Sequence, residues 1–157
     1  MLPFLDLKKV NQQYSHELKQ ACARVIDSGW YLLGDELSGF EQEFARYCGA
    51  KYSVGVGNGL DALKLVLRAW IELEKIKPGD EVIVQANTYI ATILAITEND
   101  LIPVLVEPDP LTFNLEINAV KAAITPKTKV ILSVHLYGQL SSMAELLTLA
   151  KENDLLV

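Results

Sequence analysis

A glycine-rich turn, Gly55-Val56-Gly57-Asn58-Gly59, runs directly into a segment of helical periodicity, and this junction constrains the fold most strongly. Residues 51–56 read as a short strand before it. After it, apolar residues recur at helical spacing: Leu60, Leu63, Val66, Leu67 and Trp70. A helix N-terminus leaves backbone N–H groups unpaired and carries partial positive charge, so it can hold a phosphate. Glycines let the backbone approach such a ligand closely. The alternative is a turn that only joins two packed elements.

The turn matches neither of the better-known phosphate loops. A P-loop requires a lysine directly after its last glycine, and Leu60 follows Gly59 here. Leu60 also occupies the position where the dinucleotide fingerprint needs a third glycine. Asp61, two residues after Gly59, would repel a second phosphate. The pattern therefore predicts a site for a single phosphate.

Along the rest of the chain, apolar strands alternate with amphipathic helices. Further strands are predicted at 81–84, 102–106 and 130–134, with another opening at 155–157, and helices at 14–28, 37–48, 89–97, 115–124 and 142–153. Uninterrupted apolar strands between helices are typical of a mostly parallel sheet covered on both faces. The fold class predicted is therefore α/β.

Charge and composition exclude several classes of partner. The chain has 14 Lys and Arg against 20 Asp and Glu, a net charge of −6, and no basic run. This balance argues against nucleic acid or an anionic membrane as partner. Cys22 and Cys48 have no metal-ligand spacing and are predicted to be buried free thiols, which fits a reducing cytoplasm. Residues 1–6 lack the pattern of a signal peptide, so we expect a cytoplasmic protein without a metal site.

Several residues are candidates for a ligand site, each with a plainer alternative. His135 follows the strand 130–134, and ligands bind at strand C-termini in open α/β sheets, although a structural hydrogen bond is the alternative. Tyr89 follows the strand 81–84 and could stack on a flat cofactor ring, or be a half-buried aromatic that starts a helix. Trp30 and Tyr31 lie in a loop between helices that is either a recognition loop or a hydrophobic clasp.

Seven motifs, in their order along the chain, resemble the N-terminal part of the DegT/DnrJ/EryC1/StrS family of nucleotide-sugar aminotransferases. They are Phe4-Leu5-Asp6-Leu7, Gly29-Trp30-Tyr31-Leu32-Leu33-Gly34, Phe40-Glu41, Gly57-Asn58-Gly59-Leu60-Asp61-Ala62-Leu63, Pro78-Gly79-Asp80-Glu81-Val82, Asn87-Thr88-Tyr89-Ile90-Ala91-Thr92 and Val134-His135-Leu136-Tyr137-Gly138-Gln139. Within the family, the sequences of these motifs look closest to those of enzymes that aminate C3 of dTDP-3-keto-6-deoxyhexoses for O-antigen or S-layer glycans.

The resemblance implies a fold, a cofactor and site residues. The fold is the N-terminal part of the fold-type I large domain that binds pyridoxal 5'-phosphate, with residues 1–35 forming a helix and substrate-pocket loop and 36–157 the α/β part. Backbone N–H groups at Asn58, Gly59 and Leu60 would hold the cofactor phosphate, and Tyr89 would stack on its ring. The sugar-nucleotide pocket would be lined by Gly29, Trp30, Tyr31 and Leu32.

The resemblance also implies what this chain lacks. Family members have an Asp that pairs with the pyridine nitrogen and a Lys that binds the cofactor covalently. Both come after the position of Val157. We therefore expect a truncated large domain, with no catalytic residue in this chain, weak or absent binding of pyridoxal 5'-phosphate by the chain alone, and no transamination by it. The parent enzyme would be a homodimer that transfers an amino group from glutamate to a nucleotide-linked keto-sugar. The alternative is a non-catalytic module that associates with a full-length relative.

The family's sheet order has one further consequence. The strand 51–56 would lie beside strands that arrive after Val157, so it would have no neighbour within this sequence.

Overall fold

The computed structural model describes residues 3–157, which divide into two compact units, one ending at Gly55 and one comprising Val56–Val157. The first unit contains α1 (Leu7–Gln12), α2 (Ser15–Ser28) and α3 (Asp35–Cys48). The glycines predicted to end α2 and α3, Gly29 and Gly49, both have a φ of +66° and form left-handed caps. Helix α1 was not predicted; the Asp6 carboxylate caps it by accepting the Lys9 N–H at 3.1 Å.

Little of the first unit is buried. Ala45 is the one buried residue between positions 3 and 55. The prediction that Cys22 and Cys48 are buried is wrong, because both thiols belong to helices whose sides are left exposed by the part of the chain described.

The second unit alternates helices and strands as predicted. In chain order its elements are α4 (Gly59–Glu72), β1 (Glu81–Gln85), α5 (Ile90–Thr97), β2 (Ile102–Val106), α6 (Ile117–Ala123), β3 (Thr128–Leu132) and α7 (Met143–Glu152). The three strands form a parallel sheet in the order β2-β1-β3, which confirms the predicted parallel α/β architecture. After α7, Leu156 makes a parallel bridge to Val130, as expected for the start of another strand.

Helices cover both faces of this sheet. On one face, Val84 of β1 packs in a cluster with Leu67 of α4 and Ile96 of α5. On the other face, Ile83 packs in a second cluster with Leu146 of α7. Because successive side chains of a strand point to opposite faces, β1 is buried on both sides and is the centre of the unit.

The predicted strand at 51–56 is wrong. This segment pairs with no strand among residues 3–157, and its conformation is irregular. The Gly55 N–H instead donates to the Glu41 carboxylate at 2.7 Å. A strand needs a neighbouring ladder to satisfy its backbone groups, and the described part of the chain offers none to this segment.

A buried amide organises the end of the sheet where the parallel strands terminate, which we call the carboxyl edge. Gln85, the last residue of β1, is 0% exposed. Its Nε2 donates to the carbonyl oxygens of Phe113 and Val134 at 3.2 Å each, and its Oε1 accepts the Val134 N–H at 3.2 Å. This one side chain therefore joins the end of β1 to the segment after β3 and to the loop after β2.

The loop after β2 is shaped by Asp109. Its Oδ1 accepts the N–H groups of Thr112 at 2.7 Å and Leu111 at 3.0 Å, and these bonds lower the pKa of the carboxyl group below its usual range. The Asp109 carbonyl also accepts the Phe113 N–H at 2.8 Å. Phe113 has a φ of +61°, so the Asp109 bonds stabilise a turn that ends in a left-handed residue.

We predict that Gln85→Leu lowers the free energy of unfolding by roughly 1–3 kcal/mol, because the half-buried Val134 N–H loses its acceptor and the carbonyl oxygens of Phe113 and Val134 each lose one donor. Urea denaturation measures the change. Gln139→Leu is the control, since the Gln139 side chain is exposed. A loss no larger than that of the control would show that the Gln85 amide does not hold the carboxyl edge together.

Asp109 should also give stability a specific pH dependence. Since its folded-state pKa is lowered, the carboxylate adds stability above the unfolded pKa of about 4, and this contribution disappears as the pH falls through the lower folded value. Asp109→Asn should therefore be less stable than the parent at pH 7 and lose less stability on acidification from about pH 5 to 2. Thermal denaturation at several pH values tests this, with exposed Asp27→Asn as comparison. Parallel curves for parent and Asp109→Asn would contradict it.

Candidate functional site at the carboxyl edge

The start of α4 presents unpaired backbone donors. Asn58, in an extended conformation, is the N-cap residue, and its Oδ1 accepts the Asp61 N–H at 3.0 Å. The Ala62 N–H bonds the Asn58 carbonyl at 3.1 Å. The N–H groups of Gly59 and Leu60 find no acceptor within residues 3–157. Two adjacent donors therefore remain available at the positive end of a helix of 14 residues.

The glycines keep the approach to these donors open. A Cβ on Gly59 would meet no atom within 4 Å, and both Asn58 and Gly59 are exposed. A Cβ on Gly57 would lie 3.0 Å from Oδ2 of Asp61, an atom that also accepts the Asn58 Nδ2 at 2.9 Å. The donor set suits one phosphate, because the Asp61 carboxylate is fixed beside it and disfavours a second anion.

Tyr89 lies directly before α5, four residues after the end of β1. It is the N-cap residue of α5, its carbonyl accepts the Thr92 N–H at 3.0 Å, and its side chain is 79% exposed. Tyr89 does start a helix, as the alternative interpretation had it, but its side chain is exposed and not half-buried. An exposed aromatic ring at the end of a parallel strand is available for stacking.

Helices α4 and α5 run in the same direction. Helix α4 is followed by the amino end of β1, and α5 by the amino end of β2. The two connections meet there, where the Gly79 N–H bonds the Asp100 carbonyl at 2.8 Å. Both helices therefore begin on the carboxyl side of the sheet, and Gly59 and Tyr89 lie on that same side. That they share one cofactor stays a prediction.

The predicted substrate loop belongs to the first unit. Gly29 ends α2, the Trp30 N–H donates to Ser28 Oγ at 3.0 Å, and the Trp30 indole N–H donates to the Leu32 carbonyl at 2.6 Å. The side chains of Trp30, Tyr31 and Leu32 are all exposed. The loop thus combines a hydrogen-bonded backbone with exposed apolar side chains, and its role in binding a substrate stays a prediction.

The remaining candidate, His135, makes a structural hydrogen bond, and three lysines are ion-paired or lie elsewhere. The Nδ1 of His135 accepts the Ser141 N–H at 3.1 Å. This is a structural hydrogen bond, the alternative to ligand binding given above for His135. Lys64 forms an ion pair with Glu98, and the hydrogen bond and charge of that carboxylate raise the pKa of Lys64. Lys127 and Lys129 lie at the amino end of β3, away from the carboxyl edge.

Three amides at the carboxyl edge were not predicted. Gln85 makes the bonds described above, Asn87 Nδ2 donates to the Phe113 carbonyl at 3.1 Å, and Asn114 is 3% exposed. The Asn114 Oδ1 accepts the Leu136 N–H at 3.1 Å. An amide at the end of an apolar strand, as at Gln85, is the one local signal that could have indicated such a network.

Residues 3–157 include no cluster of side chains suited to a metal ion. Within the same range, no helix has the length and hydropathy needed to cross a membrane.

Comparison with known proteins identifies relatives over nearly the whole chain. The family model of the DegT/DnrJ/EryC1/StrS aminotransferase family matches residues 12–157. A dTDP-3-amino-3,6-dideoxy-alpha-D-galactopyranose transaminase from Aneurinibacillus thermoaerophilus is 53% identical over 157 residues, which are 100% of this chain and 42% of that protein. The chain therefore spans about two fifths of the length of this relative.

Solved structures give the same result. The crystal structure of DesV from S. venezuelae in complex with a ketimine intermediate has a TM-score of 0.91 and 49% identity, covering 98% of this chain and 40% of that one. NtdA from Bacillus subtilis with bound cofactor PMP has a TM-score of 0.90 and 32% identity, covering 98% of this chain and 35% of that one. The resemblance inferred from the seven motifs is thereby confirmed, and the chain belongs to the DegT/DnrJ/EryC1/StrS aminotransferase family.

Proposed function

We propose that this chain forms the part of a nucleotide-sugar aminotransferase that binds the phosphate and one ring face of pyridoxal 5'-phosphate. The observation that carries the proposal is the pair of unpaired N–H groups at Gly59 and Leu60, at the capped and exposed start of α4. Family membership supports the same cofactor, because NtdA was solved with bound PMP.

The donors suit the phosphate group for two reasons. Neutral backbone N–H groups and the helix dipole attract one anion without requiring a lysine at the turn. Capping by Asn58 leaves the Gly59 and Leu60 donors directed away from the helix and free for a ligand. Tyr89, on the same side of the sheet, would stack on the pyridine ring.

Bound at this position, pyridoxal phosphate would supply the electron-accepting ring and the carbonyl carbon on which amino transfer depends. The residues of this chain would hold and orient it. In this proposal Gly29, Trp30, Tyr31 and Leu32 line the pocket for the sugar nucleotide, since the side chains of Trp30, Tyr31 and Leu32 are exposed on a hydrogen-bonded loop.

The substrate proposed is a dTDP-linked keto-deoxysugar, with glutamate as amino donor. The support is the name of the A. thermoaerophilus relative, a dTDP-sugar transaminase. A role in O-antigen or surface-glycan synthesis, a homodimeric assembly and a cytoplasmic location belong to the same proposal. The division into residues 1–35 and 36–157 comes from the family resemblance and is likewise proposed.

A second candidate is a non-catalytic module that associates with a full-length relative. Covalent binding of the cofactor needs a lysine at the site. Lys64 is ion-paired, and Lys127 and Lys129 lie at the amino end of β3. These positions favour the non-catalytic module for the 157 residues alone. We propose accordingly that these residues alone do not transaminate. An assay with a dTDP-keto-sugar and glutamate tests this, and turnover by the 157 residues would contradict the proposal.

The reading frame downstream of codon 157 tests the proposal for the whole protein. An open frame that encodes an Asp and then a Lys motif of this family supports the aminotransferase. A frame that stops, with no such motif, supports the non-catalytic module.

The phosphate site is tested by removing one N–H group without breaking the helix. Gly59 is the first residue of α4, where proline is tolerated, and Asn58 before it is extended, as a residue preceding proline should be. We predict that Gly59→Pro weakens binding of pyridoxal 5'-phosphate about 10- to 100-fold, the effect of losing one hydrogen bond to a charged group.

Gly59→Ala is the matched comparison, because it adds a Cβ into open space and keeps the N–H. The difference in affinity between the Pro and Ala variants reports the loss of the N–H together with the ring Cδ that replaces it, and fluorescence titration measures it. Equal affinities in the two variants would rule out the Gly59 N–H as a phosphate donor.

A further inference from the structure

One backbone carbonyl, that of Phe113, accepts two side-chain amides from the segment that leads to Tyr89. Gln85 Nε2 donates to it at 3.2 Å and Asn87 Nδ2 at 3.1 Å. Gln85 is the buried last residue of β1, and Tyr89 is two residues beyond Asn87. The end of β1 and the segment that follows it are therefore each joined to the loop after β2.

The acceptor is itself held in place. Asp109 accepts the Phe113 N–H through its carbonyl at 2.8 Å, and the next residue, Asn114, is buried. Asn114 Oδ1 accepts the Leu136 N–H and its Nδ2 donates to the Gln139 carbonyl, both at 3.1 Å. Phe113 keeps a φ of +61°, which a non-glycine residue holds only where its surroundings enforce it.

Backbone hydrogen bonds secure little of the segment from Asn87 to Tyr89. The Ala86 N–H bonds the Val106 carbonyl at 2.9 Å, but the N–H groups of Asn87, Thr88 and Tyr89 have no acceptor within residues 3–157. The Thr88 hydroxyl has no hydrogen-bond partner in that range either. The Asn87 amide is thus the polar contact that ties this stretch to the loop after β2.

We propose that Asn87 is a positioning residue for Tyr89. Its amide, bonded to the Phe113 carbonyl, fixes the backbone on which the Tyr89 ring is carried, and so sets how that ring meets the cofactor. This inference rests on the proposed function, in which Tyr89 stacks on pyridoxal phosphate.

A double-mutant cycle tests the inference in the protein translated from the complete reading frame that contains these residues. The variants are Asn87→Ala, Tyr89→Leu and the double variant, and the probe is pyridoxal 5'-phosphate. Its Kd is measured by fluorescence titration and its orientation by the circular dichroism of the cofactor band. We expect Asn87→Ala to raise Kd about three- to tenfold and to weaken that dichroism. In the Tyr89→Leu background the same change should alter Kd less than twofold, because the two residues act as a unit.

Two further variants separate positioning from general stability. Asn87→Asp keeps the size of the side chain but replaces the donor with an acceptor, so it should weaken binding at least as much as Asn87→Ala. Asn118→Ala removes an exposed amide whose one partner within residues 3–157 is the Glu116 side chain, at 3.0 Å, and it should leave the Kd and the dichroism unchanged. Thermal denaturation midpoints should be similar for the Asn87→Ala and Asn118→Ala variants.

The outcomes that overturn the inference differ from those that overturn the proposed function. An unchanged Kd in Asn87→Ala, or effects of Asn87→Ala and Tyr89→Leu that multiply in the double variant, would overturn the positioning role alone. No binding by the unaltered protein, or no effect of Tyr89→Leu, would overturn the cofactor role of Tyr89 and the positioning role with it.

Discussion

The Gln85 amide lies where three segments of the second unit converge, and the arrangement of the carboxyl edge depends on it. With no solvent access, each of its polar atoms needs a protein partner, and its partners among residues 3–157 are backbone groups of Phe113 and Val134. The loop after β2 and the segment after β3 are therefore fixed to the end of β1. Asn87 uses the same Phe113 carbonyl, so the position of Tyr89 is connected to that of Gln85.

Anion binding in this acidic chain is proposed to depend on backbone geometry. A net charge of −6 gives no general attraction for a phosphate, and the turn before α4 contains no lysine. Two N–H groups at a helix start supply local positive potential instead. Asn58 contributes by satisfying the Asp61 N–H itself, which confines the unpaired donors to Gly59 and Leu60.

Local patterns in the sequence were sufficient for most elements of the fold. Apolar periodicity and capping glycines predicted α2, α3 and α4, and continuous apolar runs predicted β1, β2 and β3. The strand at 51–56 was wrong, because a strand depends on a neighbour that local periodicity cannot reveal. The Cys22 and Cys48 thiols were predicted buried from the apolar residues beside them, yet burial depends on what covers a helix face.

The amides of Gln85, Asn87 and Asn114 were missed because their partners lie 22 to 49 residues away. For the candidate site, the sequence indicated the glycine turn and Tyr89, whereas the amide contacts that fix the carboxyl edge required the structure.

Backbone amide NMR is the most direct test of the central claim, that the start of α4 holds a cofactor phosphate. In isotopically labelled protein, pyridoxal 5'-phosphate should move the Gly59 and Leu60 amide proton signals downfield, and pyridoxal without its phosphate should not. Such a difference between the two compounds is the result this account predicts. Binding of pyridoxal 5'-phosphate with both amide signals unchanged, or equal shifts with both compounds, would contradict it.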